Sequence, residues 1–162
     1  MCRIVGIISL NTQRIDIDNF ILMRDTMSAG GPDAEGVWVS NGGNAALAHR
    51  RLSILDVSDA GNQPMRSANE RYIISYNGEV YNFKEIRVRL EKLGYVFYTT
   101  CDTEVILAAF EEYGVECAKL FHGMFAIALW DVKSNALTLI RDRIGVKPLY
   151  YYMTDDFFVF AS

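Results

Sequence analysis

The chain has 162 residues, 51% of them hydrophobic and 22% charged, which is enough for one globular domain with its own core and excludes disorder. A formal net charge of −4, with scattered lysines and arginines, argues against a nucleic-acid-binding surface. Three cysteines without the paired spacing of a zinc site, no signal-peptide pattern and no membrane-length apolar run together favour a protein of the reducing cytoplasm.

The first half of the chain is predicted to place one helix among several strands. The apolar, β-branched run RIVGIISL predicts a buried strand. A helix is expected from Asp18 to Ala29, because Gly-Gly-Pro follows it. Two strands, VWVS and AALAHRRLSIL, are then joined by a glycine turn, and the polar stretch DVSDAGNQPMRSANE is expected to form an ordered loop.

The second half alternates between strand and helix signals. The strand YIISY precedes a helix for which Asn82 and Glu85 form a capping-box signature and Gly94 the end. YVFYT predicts a strand, and DTEVILAAFEEYG predicts a helix capped by Asp102. Two hairpins complete the chain. Because strands come in runs with helices grouped between them, the fold class is predicted to be α+β with largely antiparallel sheets.

Cys2 is the first candidate for chemistry, because removal of Met1 would leave it with both a thiol and a free α-amine. In model compounds the amine titrates at about 7.7–8.0 and the thiol at about 8.5, so the amine can take the thiol proton near neutral pH. Such a pair would attack a carboxyl or carboxamide carbon. The alternative is that Cys2 is only a small buried side chain of the strand.

Asn77 and Gly78 allow two interpretations. Asn-Gly between two β-like runs is the strongest short-range hairpin signal. A side-chain amide beside an accessible backbone N–H can instead form an oxyanion hole, which needs two donors aimed at one point. Glu79 favours the second interpretation slightly, because a carboxylate in an apolar and aromatic neighbourhood needs a partner.

Two further charged residues are candidates for ligand binding. Arg51 lies in a strand-like segment, where a cation either binds an anion or faces solvent on an alternating strand. Asp102 is a helix N-cap or a carboxylate that accepts from a ligand ammonium group. His49 and His122 have no metal-ligand spacing, so no metal site is predicted.

Seven motifs in order along nearly the whole chain resemble one family. They are MCRIVGI, GGPDAEG, AHRRLSILD, YNGEVYNF, CDTEVIL, GMFAIALWD and RDRIGVKPLYY. This series resembles the glutamine-hydrolysing domain of class II amidotransferases, most closely the asparagine synthetase branch. Residues 1–162 are therefore interpreted as one type 2 glutamine amidotransferase (glutaminase) domain, truncated near its C-terminal end.

The resemblance implies the fold and the reaction. The fold would be the four-layer αββα sandwich of N-terminal nucleophile hydrolases, with two antiparallel sheets. Met1 would be removed, and Cys2 would attack the side-chain amide of glutamine while its own amine moves the proton. The Asn77 side chain and the Gly78 N–H would hold the oxyanion, ammonia would leave, and hydrolysis of the thioester would give glutamate.

The resemblance also implies how L-glutamine is held. Arg51 would pair with the α-carboxylate, and Glu79 and Asp102 would receive the α-ammonium group. Backbone groups of one segment would line the same pocket, namely those of Leu52, Ser53, Ile54 and Leu55. One cation and two anions are the set of charges that a zwitterionic amino acid requires.

Two departures from the family pattern bear on the product. The family usually has His-Arg-Gly-Pro-Asp, whereas this chain has Ala29-Gly30 before Gly31-Pro32-Asp33. The missing arginine is associated with glutamine-dependent nitrogen transfer, so an acceptor other than aspartate is an alternative. The chain also lacks the glycine- and serine-rich loop of a synthetase domain, so ATP and Mg²⁺ are expected only in a C-terminal synthetase domain or subunit, and no cofactor in this domain. A homodimer is compatible with the resemblance.

Two other interpretations remain open. The chain could be a catalytically silent module that binds glutamine and regulates a partner, since a retained Met1 would bury the α-amine in a peptide bond. It could also be an ordinary α+β domain whose motifs are coincidental.

Overall fold

A computed structural model describes residues 2–11, 13–53 and 58–162, and within those ranges the chain forms nine strands and three α-helices. The strands are β1 (Arg3–Ser9), β2 (Ala34–Val39), β3 (Ala45–Arg51), β4 (Met65–Arg66), β5 (Tyr72–Val80), β6 (Gly123–Asp131), β7 (Ala136–Arg141), β8 (Tyr150–Met153) and β9 (Phe157–Ala161). The helices are α1 (Ile17–Asp25), α2 (Phe83–Lys92) and α3 (Asp102–Tyr113), with 3₁₀ turns at Ser28–Gly30, Asp59–Gly61 and Gly114–Leu120.

The strands form two antiparallel sheets. The order is β2-β3-β1-β9-β8 in one sheet and β4-β5-β6-β7 in the other. The sheets are linked where β3 meets β5: the Ser75 hydroxyl donates to the Ala48 carbonyl at 3.0 Å, and His49 Nε2 bonds the Tyr76 carbonyl at 3.1 Å. This contact places the C-terminal ends of β3 and β5 side by side.

Three apolar clusters separate four layers. One lies between α2, α3 and the four-stranded sheet and includes Leu90, Ile106 and Ile127. A second lies between the two sheets, around Trp130. A third joins α1 to the five-stranded sheet through Phe20. The predicted α+β class and the αββα sandwich are therefore confirmed.

Several predicted element boundaries need correction. The first helix ends at Asp25, and the chain then turns through a short 3₁₀ segment before Pro32. YVFYT is not a strand, because it pairs with none of the strands in the described part of the chain. Its backbone is satisfied instead by the Glu104 carboxylate, which accepts from the N–H groups of Tyr98 and Thr99.

The capping box at α2 is also not formed. Asn82 occupies the N-cap position, but its side chain bonds the chain that follows α3: Nδ2 donates to the Leu120 carbonyl, and Oδ1 accepts from the His122 N–H. Gly94 ends the helix as predicted, with a φ of +98°. Among the described residues, no helix has the length and apolar character needed to span a membrane.

Candidate functional site

A cavity of about 100 Å³ opens where Cys2, the ends of β3 and β5, and the start of α3 meet. Since one water needs roughly 10–15 Å³ on this measure, the cavity has room for a ligand as small as a free amino acid. Its lining consists of Cys2, Arg51, Leu52, Gly61, Gln63, Tyr76, Asn77, Gly78, Glu79, Cys101, Asp102, Thr103, Met124 and Lys147.

Cys2 lies immediately before β1 and is only partly buried, so it is not a core residue of the strand. Its Sγ contacts both backbone groups of Leu52, accepting from the N–H at 3.4 Å and donating to the carbonyl at 3.6 Å. These contacts fix the sulfur at the mouth of the cavity. Met1 lies outside the described residues.

Asn77 and Gly78 lie inside β5, so the hairpin interpretation is wrong. Asn77 pairs with Ala126 and Gly78 with Phe125 in an uninterrupted ladder. A Cβ on Gly78 would come within 2.2 Å of the Met124 carbonyl oxygen. Glycine is therefore required here by the close approach of β6.

The N–H group of Gly78 points away from β6 and towards the cavity. Alternate N–H groups of a strand point to the same side. Those of Tyr76 and Val80 donate to the side chains of Gln63 and Asp102, at 2.6 and 3.0 Å. The Gly78 N–H lies between them on the same edge, because β4 covers β5 only at Ile73 and Ile74.

The Asn77 side chain is buried and bonded to Ser162. Its Nδ2 donates to the Ser162 hydroxyl at 2.8 Å, and its Oδ1 makes no hydrogen bond within the described part of the chain. Rotating the amide by 180° lets the hydroxyl donate to Oδ1 and moves Nδ2 to the unbonded position. Asn77 lines the cavity, and in that orientation its Nδ2 is left without a hydrogen-bond partner among the described residues.

Arg51 is buried and not solvent-facing, which corrects the alternating-strand alternative. All seven residues of β3 are buried. The Nη1 of Arg51 donates to the Ser58 carbonyl and to Asn62 Oδ1, each at 2.8 Å. Arg50 points to the other face of the strand and pairs with Glu35.

Asp102 is the first residue of α3 and does not cap it; Cys101 holds the cap position. The Asp102 carboxylate contacts β5, where its Oδ2 accepts from the Tyr76 hydroxyl at 2.8 Å and from the Val80 N–H. Burial raises the pKa of Asp102, while these two hydrogen bonds oppose that rise. Glu79 lies beside it on the cavity wall, partly buried.

The segment after β3 meets the cavity only in part. Leu52 lines it, whereas Ser53 does not: its N–H donates to Asp33 Oδ2 at 2.7 Å. Asp33, from the GGPD motif, thereby holds the start of this segment. Ile54 and Leu55 lie outside the described residues.

Arg3 fills the space beside Gly30, the position at which the family pattern has arginine. A Cβ on Gly30 would lie 2.7 Å from Arg3 Cγ and 2.9 Å from Arg3 Nε. Arg3 Nη1 also donates to the Cys2 carbonyl at 3.3 Å. A guanidinium group therefore lies next to this loop, although it comes from β1.

Several side chains of the cavity were not predicted from the sequence, and two of them, Gln63 and Lys147, bear on its chemistry. Gln63, within the predicted loop, accepts from the Tyr76 N–H and donates to Thr103 Oγ1 at 3.3 Å. Lys147 is only 1% exposed, although it lies in the charged motif RDRIGVKPLYY. Neither position carries a local signal, because each is brought to the cavity by the tertiary fold.

The remaining candidates are structural. Burial lowers the pKa of His49 to about 4, so its ring is neutral when it bonds the Tyr76 carbonyl. Cys101 and Cys117 are buried, and burial raises the pKa of the Cys117 thiol to about 12. In the part of the chain that the structure describes, no cluster of three metal-ligating side chains occurs.

Comparison with known proteins gives consistent matches over the whole chain. A family model described as a glutamine amidotransferase domain matches residues 1–162. Asparagine synthetase (glutamine-hydrolyzing) 3 from Bacillus subtilis is 38% identical over an alignment of 165 positions, which covers 100% of this chain and 26% of the relative. Asparagine synthetase B (glutamine-hydrolyzing) from Escherichia coli is 39% identical over 151 residues, 93% of this chain and 26% of the relative.

A solved structure with the same fold is glutamine phosphoribosylpyrophosphate amidotransferase from B. subtilis, complexed with ADP and GMP. It matches with a TM-score of 0.83 and 19% identity, over 99% of this chain and 41% of that one. The chain thus spans about a quarter of the length of the curated relatives above.

Proposed function

Since the chain belongs to the glutamine amidotransferase domain family, we propose that it releases ammonia from the side-chain amide of glutamine with Cys2 as the nucleophile. The Sγ of Cys2 attacks the amide carbon, and the α-amine exposed by removal of Met1 takes the thiol proton and delivers it to the departing ammonia. Water then hydrolyses the thioester, which gives glutamate and restores the thiol.

The backbone of β5 supports the charge that develops on the amide oxygen. The Gly78 N–H and, in the rotated orientation, Asn77 Nδ2 are the two donors of the oxyanion hole. Arg51 binds the α-carboxylate of glutamine, and Asp102 with Glu79 receives the α-ammonium group. Leu52 positions the sulfur.

The observation that supports this proposal is that three structural features line one cavity. A partly exposed thiol, a strand edge with an N–H directed inward, and side chains of both charge signs line a space of amino-acid size. This combination suits a zwitterionic substrate whose side chain reaches the thiol.

The direct test is glutamate release from L-glutamine by the chain with Met1 removed. We expect turnover that Cys2→Ala abolishes, whereas Cys117→Ala, which changes a buried thiol remote from the cavity, retains it. Equal glutamate release by Cys2→Ala would overturn the proposal.

For the whole protein, we propose that the ammonia passes to an ATP-dependent synthetase domain or subunit in the cytoplasm. The support is that the similar proteins are glutamine-hydrolyzing asparagine synthetases, of which this chain matches about a quarter. The hydrolysis step itself uses no ATP, Mg²⁺ or other cofactor. Because Gly30 replaces the family's arginine, an acceptor other than aspartate is the alternative to asparagine formation.

A further inference from the structure

Lys147 is a lysine buried within the site, and the proposed reaction does not yet use it. Its side chain is only 1% exposed, yet the residue lines the cavity together with Cys2 and Glu79. Moving an ammonium group out of water is costly unless charges of opposite sign offset the loss of hydration. Lys147 therefore places a positive charge in the cavity that contains the Cys2 thiol.

The loop that carries Lys147 is fixed by the two residues at its start. Asp142 is buried; its Oδ2 accepts from the N–H of Lys147 at 2.9 Å and its Oδ1 from the N–H of Val146 at 2.8 Å. Arg141 Nε donates to the Lys147 carbonyl at 2.7 Å, and its Nη2 donates to the Gly145 carbonyl at 2.8 Å. The backbone of Lys147 is thus held from both sides, which fixes the origin of its side chain.

Charged or ionisable groups on three parts of the chain act on the Lys147 ammonium group. Cys2 and Arg3 lie at the start of the chain, Glu79 on β5, and Asp142 at the beginning of the loop itself. Burial lowers the pKa of Lys147, and Arg3 adds to this, while Cys2, Glu79 and Asp142 favour the charged form. Because Cys2 and Lys147 line the same cavity, the ammonium group and an ionised Cys2 sulfur attract each other.

We propose that Lys147 is a fixed positive charge of the reaction centre, which stabilises the Cys2 thiolate as it forms and attacks the substrate amide. Lys147 transfers no proton: the thiol proton goes to the Cys2 α-amine and then to ammonia. This inference rests on the proposed function, but its effect on the thiol can be measured without turnover.

The test is the pH dependence of Cys2 alkylation by iodoacetamide, followed at the N-terminal peptide by mass spectrometry, in the processed chain. Lys147→Met keeps the apolar stem and removes the charge. We expect the alkylation midpoint to move to higher pH, with about tenfold slower alkylation and about tenfold lower kcat/KM for glutamine at pH 7. Lys147→Arg should restore most of both rates.

Matched controls separate this from a structural role. Lys133→Met removes an exposed lysine from the turn after β6 and should leave both rates unchanged. Lys147→Gln is a second charge-removing variant, and the Tm of each variant identifies any that fails to fold. A folded Lys147→Met or Lys147→Gln protein with the wild-type alkylation midpoint would overturn the inference, as would a rise in KM alone. Absence of turnover in the wild type would count against the proposed function and leave the alkylation result valid.

Discussion

Arg50 and Arg51 are consecutive residues whose side chains leave β3 on opposite faces. Arg50 joins an ion-pair group with Asp25 and Glu35, whereas Arg51 is held at the cavity by the Ser58 carbonyl and Asn62. The alternation of side chains along a strand separates the two charges. They therefore form a matched pair for testing substrate recognition.

We predict that Arg51→Ala raises KM for glutamine by roughly 10- to 100-fold, because a hydrogen bond to a charged group contributes about 1.5–3 kcal/mol. Arg50→Ala should lower the free energy of unfolding and leave KM near the wild-type value. Steady-state glutaminase kinetics, with Tm for each variant, measure both. An equal rise in KM in the two variants would contradict the role of Arg51 in binding glutamine.

For individual residues, the sequence indicated which residues belong to the site better than it indicated their structural environment. Cys2, Arg51, Asn77, Gly78 and Asp102 could all be chosen from the sequence, and the fold brings them to one cavity. Local rules nevertheless favoured a turn at Asn77-Gly78, because those rules do not include the approach of β6, a strand more than forty residues further along the chain. Lys147 could not be chosen, since its burial depends on the fold, which brings it to the cavity together with Cys2 and Glu79.

The strand β5 is the element on which the site is built. It pairs with β6 along its whole length but with β4 at only two residues, so the edge beyond Ile74 is available to the cavity. Gln63 and Asp102 occupy that edge on either side of the Gly78 N–H. The incomplete pairing of β5 thus leaves the Gly78 N–H available as the proposed oxyanion donor and lets Gln63 and Asp102 bond the N–H groups on either side of it.

We predict that Gly78→Ala destabilises the whole domain by about 1–3 kcal/mol or more, because its Cβ would overlap the Met124 carbonyl and lie 2.7 Å from Phe125 Cα. Urea denaturation monitored by tryptophan fluorescence measures the change. Gly42→Ala is the control, since its Cβ would meet only the Asn44 side chain, at 3.1 Å. Wild-type stability in Gly78→Ala would contradict the close approach of β5 and β6.

Element types followed from the sequence where the periodic pattern was long, as in α3 and the β6-β7 hairpin. Short signals were less informative. YVFYT has strand-forming residues, but a strand also needs a partner, and its N–H groups bond Glu104 instead. Asn82 has the right position for a capping box, but tertiary partners at Leu120 and His122 take its side chain.

At the scale of the whole molecule, the two sheets are joined by a neutral, buried histidine. His49 Nε2 donates to the Tyr76 carbonyl, and its folded-state pKa of about 4 lies below the ordinary value of 6.5. The unfolded chain therefore binds a proton that the folded protein does not bind between these values. The sheet contact that places the ends of β3 and β5 together is thus sensitive to acid.

We predict that the free energy of unfolding decreases as the pH falls from about 6.5 to about 4, by roughly 2–3 kcal/mol from His49 alone. His49→Gln keeps a donor for the Tyr76 carbonyl and should flatten this part of the profile. His122→Gln, at an exposed histidine, should retain the wild-type slope. Identical slopes in the wild type and His49→Gln would show that His49 is not the titrating group.

Catalysis by Cys2 can be tested by rapid acid quenching of the processed chain during glutamine turnover, followed by mass analysis of the N-terminal peptide. We expect a glutamyl group in thioester linkage on Cys2, absent from Cys2→Ala and from a chain that retains Met1. Glutamate production without any adduct on Cys2, at a rate that survives Cys2→Ala, would contradict catalysis by Cys2.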